Sequence, residues 1–248
     1  MKNSLFRDYS RKYVHFYDEE ASILLESGLA LVNEVVKKPS IVDLGCGDGR
    51  LIFSLYEKGL LKNVGDIVGV DISESRIERL TKELSFVKGI VSDALSVKEL
   101  PSSRFDFVIC SQLIEHVEDD ETLVFEIQRL LKSGGLTYVS SVIRKWYGLY
   151  FYLRGGAFRL DPTHTREYSS VDKFVDLIAK KGFKVVSVET RQVMFPLLDF
   201  AVRLLVRIGF LEPNVRFYQR HKILGKIRRL RIPILGYGIM EVLARKVD

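Results

Sequence analysis

The most constraining stretch of this 248-residue chain is Ile41-Val42-Asp43-Leu44-Gly45-Cys46-Gly47-Asp48-Gly49. A short apolar run ends in three glycines at alternate positions, and helical periodicity begins directly after them. Glycine at such a junction permits a tight turn and a close approach of ligand to backbone. The start of the following helix offers unpaired N–H groups to an anionic group. A strand feeding straight into a helix is the building unit of an α/β sheet, and the rest of the chain repeats it.

Strand-like runs are expected at Ser40 to Leu44, Ile67 to Val70, Phe86 to Val91, Phe105 to Cys110 and Leu136 to Ile143. Helix-like sequence separates them at Gly49 to Lys58, Glu74 to Leu84 and Asp119 to Lys132, and a further helical stripe, Glu19 to Lys37, precedes them. A helix at Ser169 to Lys181 and strands at Phe183 to Val193 and Gly238 to Lys246 follow. Five strands with intervening helices predict a doubly wound, mostly parallel sheet. Residues 1–248 read as one domain, with a core of 19–193 plus 236–248. Two segments fall outside the rhythm: an aromatic insertion at 144–168, expected to act as a lid, and a basic amphipathic insertion at 194–235.

Hydrophobic residues make up 47% of the chain and charged residues 28%, which excludes disorder throughout. Two cysteines are too few for a disulfide framework, so the reading is an intracellular, cytoplasmic protein. No secretory signal is visible at the start of the sequence, and the longest uncharged stretch, Ser133 to Ile143, is too short to span a bilayer. The net charge is +6, yet residues 202–235 alone carry +8, leaving −2 for the remainder. So local an excess points to a surface for an anionic partner on a nearly neutral body.

Val68-Gly69-Val70-Asp71 ends the second strand with a carboxylate 22 positions beyond Gly49, where an acid can accept both hydroxyls of a ribose. Asp93 ends the third strand, and Ser111-Gln112 the fourth. All lie just past the carboxyl ends of strands, the edge at which open α/β sheets bind ligands. A dinucleotide fingerprint would need glycine at position 50, where Arg50 stands. The run Asp43-x-Gly45-x-Gly47-x-Gly49 with Asp71 and Ser92-Asp93 resembles the class I S-adenosylmethionine-dependent methyltransferases, over about Ile41 to Gly135. The resemblance implies a Rossmann-like seven-stranded sheet with an antiparallel last strand, and S-adenosylmethionine as cofactor. It places Asp43, Gly45 and Gly47 near the methionine zwitterion, Asp71 at the ribose hydroxyls, Asp93 at the adenine amino group and Gln112 beside the methionine moiety and sulfonium, with Cys46, Gly49, Ile72 and Ala94 as further cofactor-binding residues. Carboxylates and backbone dipoles suit a cationic cofactor without phosphate better than arginines would.

Gln112-Leu113-Ile114-Glu115-His116-Val117 resembles the quinone-biosynthesis (type 11) branch of that family, and the string containing Asp161, His164 and Glu167 resembles its lid sequence. His116 and His164 are therefore the candidate catalytic residues. Related enzymes hold a divalent ion through Glu-x-x-Glu-His and a later histidine, which nominates Glu115, His116 and His164. Gln112 replaces the first glutamate, so no metal is expected and Glu115 is read as a helix-start acid. His15 and His221 are read as surface residues, and Cys46 and Cys110 as small apolar side chains without a nucleophilic role. Between Phe195 and Leu211 the polar residues Asp199, Arg203 and Arg207 recur every four positions beside a wide apolar face. The expected acceptor is small or lipid-like, apolar or aromatic, with possible peripheral contact to an anionic membrane surface. RNA, tracked by the basic segment with Phe217 and Tyr218, and a non-catalytic cofactor-binding module are the alternatives, and a homo-oligomer is open.

Overall fold

The computed structural model describes residues 14–17, 21–148, 152–154, 157–161, 163–212 and 214–247. Helix α1 (Ile23–Val35) is followed by β1 (Ile41–Leu44), α2 (Arg50–Glu57), β2 (Ile67–Asp71), α3 (Glu74–Glu83), β3 (Lys88–Val91), β4 (Phe105–Ser111), α4 (Asp120–Leu130) and β5 (Leu131–Arg144). A small hairpin, β6 (Tyr152–Arg154) with β7 (Ala157–Arg159), leads to α5 (Val171–Ala179), β8 (Phe183–Pro196), the helices α6 (Leu197–Arg207), α7 (Phe217–Arg220) and α8 (Lys222–Ile227), and β9 (Arg231–Lys246). The main sheet has the order β3-β2-β1-β4-β5-β9-β8. Strands β1 to β5 pair in parallel, and β9 runs antiparallel between β5 and β8. This is the expected doubly wound sheet with an inserted, antiparallel last strand.

Strand β1 is buried on both faces, and alternate residues serve opposite cores. Ile41 joins a cluster with Leu25 and Leu29 of α1, Ile52 of α2 and Leu80 of α3. Val42 and Leu44 join another with Leu123 and Ile127 of α4 and Phe174 of α5. The helices start where side chains can cap them: Ser22, Asp119 and Ser170 each accept a hydrogen bond from the backbone N–H three residues on.

Three boundaries depart from the sequence reading. Strand β3 begins at Lys88, because Phe86 leaves the sheet line to stack on Tyr56 with ring centroids 4.9 Å apart. Strand β5 begins at Leu131, with residues 132–135 taken up in a bulge between the pairs Phe105–Leu131 and Phe107–Leu136. The last hairpin reaches into the basic segment, pairing Met194, Phe195 and Pro196 with Pro233, Ile232 and Arg231. Pro233 and Gly236 disguise that extension as a loop. Gly236 has φ +76° beside a register shift, and Gln192 Nε2 donates to the carbonyls of Ile234 and Tyr237 on the opposite strand.

A cofactor edge and a histidine cluster

Everything chemically distinctive gathers at the carboxyl ends of β1, β2, β3 and β4. Past Leu44 the chain turns through Gly45, Gly47 and Gly49, all with positive φ, and a Cβ at Gly49 would lie 2.3 Å from Leu80 Cδ1. The turn is held from β2: Val70 O accepts from Gly45 N and Cys46 N, and Asp71 Oδ2 accepts from Gly47 N at 3.0 Å. Asp71 Oδ1 accepts from Ser73 N at 2.8 Å. A carboxylate has about four lone-pair sites, so both oxygens retain acceptor capacity for hydroxyls. Burial raises the Asp71 carboxyl above its ordinary range, although Arg76 and the two N–H donors oppose the shift.

Asp43 is buried and pushed up to about 8, first by burial and then by the neighbouring Asp71 charge, with Arg50 opposing. A cationic group in the turn would restore its charge. The Cys46 thiol is pushed well up by burial and by Asp43, consistent with an inert, packed side chain. Beyond β2 the Ile72 side chain is 46% exposed, an apolar surface beside the acid. Asp71 O accepts from Ser92 N, which draws the end of β3 alongside, and Asp93 Oδ1 accepts from Leu95 N in the turn that buries Ala94. At the end of β4, Gln112 takes φ +52°, its backbone N–H donates to Ser140 O, and its Nε2 lies 3.4 Å from Ser140 Oγ.

The structure adds residues that sequence reasoning passed over. Asp48, fully buried in the glycine turn, accepts from Arg79 Nε at 2.6 Å and from His15 N at 2.8 Å, while its backbone oxygen accepts from Tyr17 Oη at 2.6 Å. Tyr17 stacks on Phe53, centroids 4.3 Å apart. His15, read as a surface residue, keeps 39% of its side chain exposed and also lies against Gly47: a Cβ there would meet His15 Nδ1 at 2.7 Å. Desolvation against the turn, then the charges of Arg76, Arg50, Arg203 and Arg79, lower its imidazole from the usual range. Arginines therefore rim the turn beside the buried carboxylates. The only sequence signal was Asp48 itself, a charge placed between two glycines.

On the other side of Tyr17 the same segment touches the basic insertion. Tyr17 N donates to Val215 O, and Phe16 packs edge-on against Tyr218 at 4.9 Å. Phe217 lies 6.2 Å from Phe16, and Tyr218 is buried. Of the two aromatic residues that the nucleic-acid alternative would stack on bases, Tyr218 is buried and Phe217 is partly buried against the core.

Just past Gln112, a second cluster forms from residues 115–116 and 163–167. Thr165 N and Oγ1 both donate to Glu115 O, stitching the two loops together. His116 Nδ1 lies 2.9 Å from Thr163 Oγ1, which donates to Asp161 Oδ1 at 2.5 Å. His164 Nδ1 lies 2.9 Å from Glu167 Oε1, and the two imidazoles meet edge to face at 4.8 Å. Burial, and next the neighbouring His164, lower His116 to about 4. Glu115 is fully buried in a turn before α4, which corrects its reading as a helix-start acid: the chain folds back there, and Ser141 Oγ donates to its Oε2 at 2.9 Å. Its Oε1 has no hydrogen-bond partner, and burial lifts the carboxyl to about 7 despite the pull of His164. One ligand atom each from Glu115, His116 and His164 lie within 4.8 Å of one another, a set that fits a divalent cation.

Of the aromatic insertion, Trp146 is 92% exposed and meets Tyr147 edge-on, so it points to solvent instead of lining a cavity. Tyr150 and Phe151, and the side chains of Tyr152 and Phe158, lie outside the described residues. Among the described residues, no helix is long and apolar enough to cross a membrane.

Comparison with known proteins agrees with this edge. Residues 42–139 match the family described as "Methyltransferase domain". A "Ubiquinone biosynthesis O-methyltransferase" of Acinetobacter baylyi is 30% identical over 135 residues, 52% of this chain and 55% of that protein. One of the same name from Coxiella burnetii is 29% identical over 140 residues, 54% and 57% of the two chains. The chain thus spans about half the length of the curated relatives it matches. Among solved structures, the [4+2]-cyclase SpnF superposes with TM-score 0.64 at 17% identity, covering 100% of this chain and 97% of that one. A phosphoethanolamine N-methyltransferase 2 of Haemonchus contortus, in complex with phosphomonomethylethanolamine and S-adenosylhomocysteine, superposes with TM-score 0.57 at 18% identity, over 90% of this chain and 52% of that one. Residues 42–139 thus match a methyltransferase domain, and the glycine turn, strand-end acids and strand order of this chain agree with that match.

Proposed function

We propose that this protein methylates an apolar, lipid-like or aromatic acceptor at an atom that must first give up a proton, a hydroxyl oxygen or an activated ring carbon. The observation that carries the reading is the pair His116 and His164, in contact just past the fourth strand, each with a carboxylate behind it. The printed activity of the curated relatives, O-methylation in ubiquinone biosynthesis, is of the same kind.

S-adenosylmethionine, when bound, supplies a methyl group on a good leaving group. The Gly45 to Gly49 turn and the start of α2 would seat its methionine end, with Arg76, whose buried Nε has no hydrogen-bond partner, facing the carboxylate and buried Asp43 the cationic end. Asp71 would accept from the ribose hydroxyls, Ile72 and Ala94 would face the adenine, and Asp93 would accept from its amino group. Gln112 would border the reacting centre. Fixing two partners in line is worth up to ~7–11 kcal/mol, so this cradle supplies the larger share of catalysis. The smaller share is proton removal, typically about 10²–10⁴-fold. Glu167 accepting from His164 Nδ1–H fixes the tautomer whose Nε2 is the free base, and Asp161 acts on His116 through Thr163 in the same sense. If Glu115, His116 and His164 instead hold a divalent cation, the ion would supply a Lewis acid to the acceptor oxygen in place of the free base.

The test is transfer of labelled methyl from S-adenosylmethionine to an alkyl-substituted catechol dispersed in detergent. His164→Ala and His116→Ala should each lower kcat by about 10²-fold or more with S-adenosylhomocysteine affinity unchanged. Undiminished turnover would remove the base assignment, and turnover abolished by a chelator and restored by magnesium would transfer the role to a metal. The nucleic-acid alternative stands or falls on filter binding at rising salt.

A further inference from the structure

Helix α6 is inside out. Its inward side carries Asp199 and Val202, both buried, with Leu198 packed on the core. Its outward side carries Leu197, Phe200, Leu204 and Ile208, each at least half exposed. The orientation is enforced by an ion pair in the interior. Arg228 of the following segment donates from Nε to Asp199 Oδ1 at 2.7 Å and from Nη2 to Oδ2 at 2.8 Å, and Tyr218 Oη donates to Oδ1 at 2.7 Å. Desolvating two charges is expensive, and a helix rotated by half a turn would bury four large apolar side chains instead. The fold therefore holds an apolar stripe in solvent, about 16 Å long for an 11-residue helix.

The stripe continues onto its neighbours. Leu197 N donates to Leu230 O, and Leu230 is 67% exposed; beside it the hairpin presents Ile232, and α8 presents Ile223 at 76% exposed. The same segment carries the exposed cations Arg203, Arg220, Lys222, Lys226 and Arg229. The single acid of residues 202–235 is Glu212, while Asp199 is neutralised by Arg228 and Arg216 is engaged by Glu83 at 2.5 Å. Exposed apolar side chains on a segment rich in exposed cations match one kind of partner: an aliphatic interior with anionic head groups at its surface. A nucleic acid would answer the cations but leave the aliphatic stripe uncovered.

We propose that the face formed by α6, α8 and the tip of the β8–β9 hairpin docks on the surface of an anionic lipid bilayer. The inference deepens the apolar-acceptor reading by naming the phase from which such an acceptor is taken. It also places the docking face one step from the cofactor turn, because Phe16 and Tyr17 bridge Tyr218 and Asp48.

The full chain is sedimented with vesicles of phosphatidylglycerol and phosphatidylcholine in equal parts, and with phosphatidylcholine alone. Binding is expected to the anionic vesicles, weakening as salt rises. Phe200→Asp with Leu204→Asp should lower the partition coefficient about tenfold or more, and Lys222→Glu with Lys226→Glu by at least about tenfold. All these positions are exposed, so S-adenosylhomocysteine affinity should stay unchanged in every variant. No sedimentation of the native chain, or equal sedimentation of native and variants, overturns the proposal. So does a dimer by light scattering that Phe200→Asp dissociates, which would give the face to a second copy. Vesicle binding without methyl transfer would sink the acceptor reading alone, and transfer without vesicle binding would sink the docking face alone.

Discussion

The strand-end cofactor edge and the α6–α8 insertion solve opposite problems with the same residue types. At the edge, Asp71 is buried and answered by backbone N–H groups alone, Ser73 two residues on and Gly47 of the neighbouring turn 24 residues back. In the insertion, Asp199 is buried and answered by Arg228, 29 residues away, and the consequence is an exposed apolar face. Backbone donors leave a buried acid with acceptor capacity to spare. A guanidinium that takes both oxygens makes it an orientation device for a helix.

The sharpest way to break that contrast is to remove one member of the distant pair. Asp199→Ala leaves Arg228 buried without its partner and should cost about 3–5 kcal/mol in urea unfolding, whereas replacing both, Asp199→Leu with Arg228→Met, should be near neutral or stabilising. If the single change costs no more than the double, the pair does not set the helix.

A smaller effect sharpens the other side. Asp43, at about 8, is mostly protonated at neutral pH in the ligand-free protein. A bound cation lowers that value, so binding of S-adenosylmethionine should release up to one proton and strengthen by up to about tenfold per unit as the pH rises toward 8. S-adenosylhomocysteine lacks the sulfonium but keeps the α-ammonium, so an equal dependence would assign the proton to the ammonium contact and a weaker one to the sulfonium. Calorimetry in buffers of differing ionisation enthalpy reads the proton directly, and no release would separate Asp43 from the cationic end.

The edge was legible because its signals are local. Strand, glycine turn and terminal acid sit within a few residues, and one rule about the carboxyl ends of parallel strands joins Asp43, Asp71, Asp93 and Gln112. What was hidden depended on contacts across the chain. His15 reaches Asp48 over 33 residues, and Glu115 reaches Ser141 over 26, so neither position could be assigned from its neighbours. The four-residue spacing of Asp199, Arg203 and Arg207 correctly predicted a helix, yet periodicity says nothing about which face turns inward once a buried ion pair decides it. The hairpin tip was missed for a local reason: Pro233 and Gly236 are loop residues by propensity, and here they occupy an edge and a bulge.

The most direct test of the cofactor edge is the dissociation constant of S-adenosylhomocysteine for Asp71→Asn, measured by calorimetry on protein whose unfolding midpoint matches the native chain. Loss of the carboxylate that joins β2 to the glycine turn should weaken binding by about 1–3 kcal/mol, roughly 5–150-fold. A dissociation constant equal to that of the native chain would mean that the ribose is held elsewhere and that the edge is not the cofactor site.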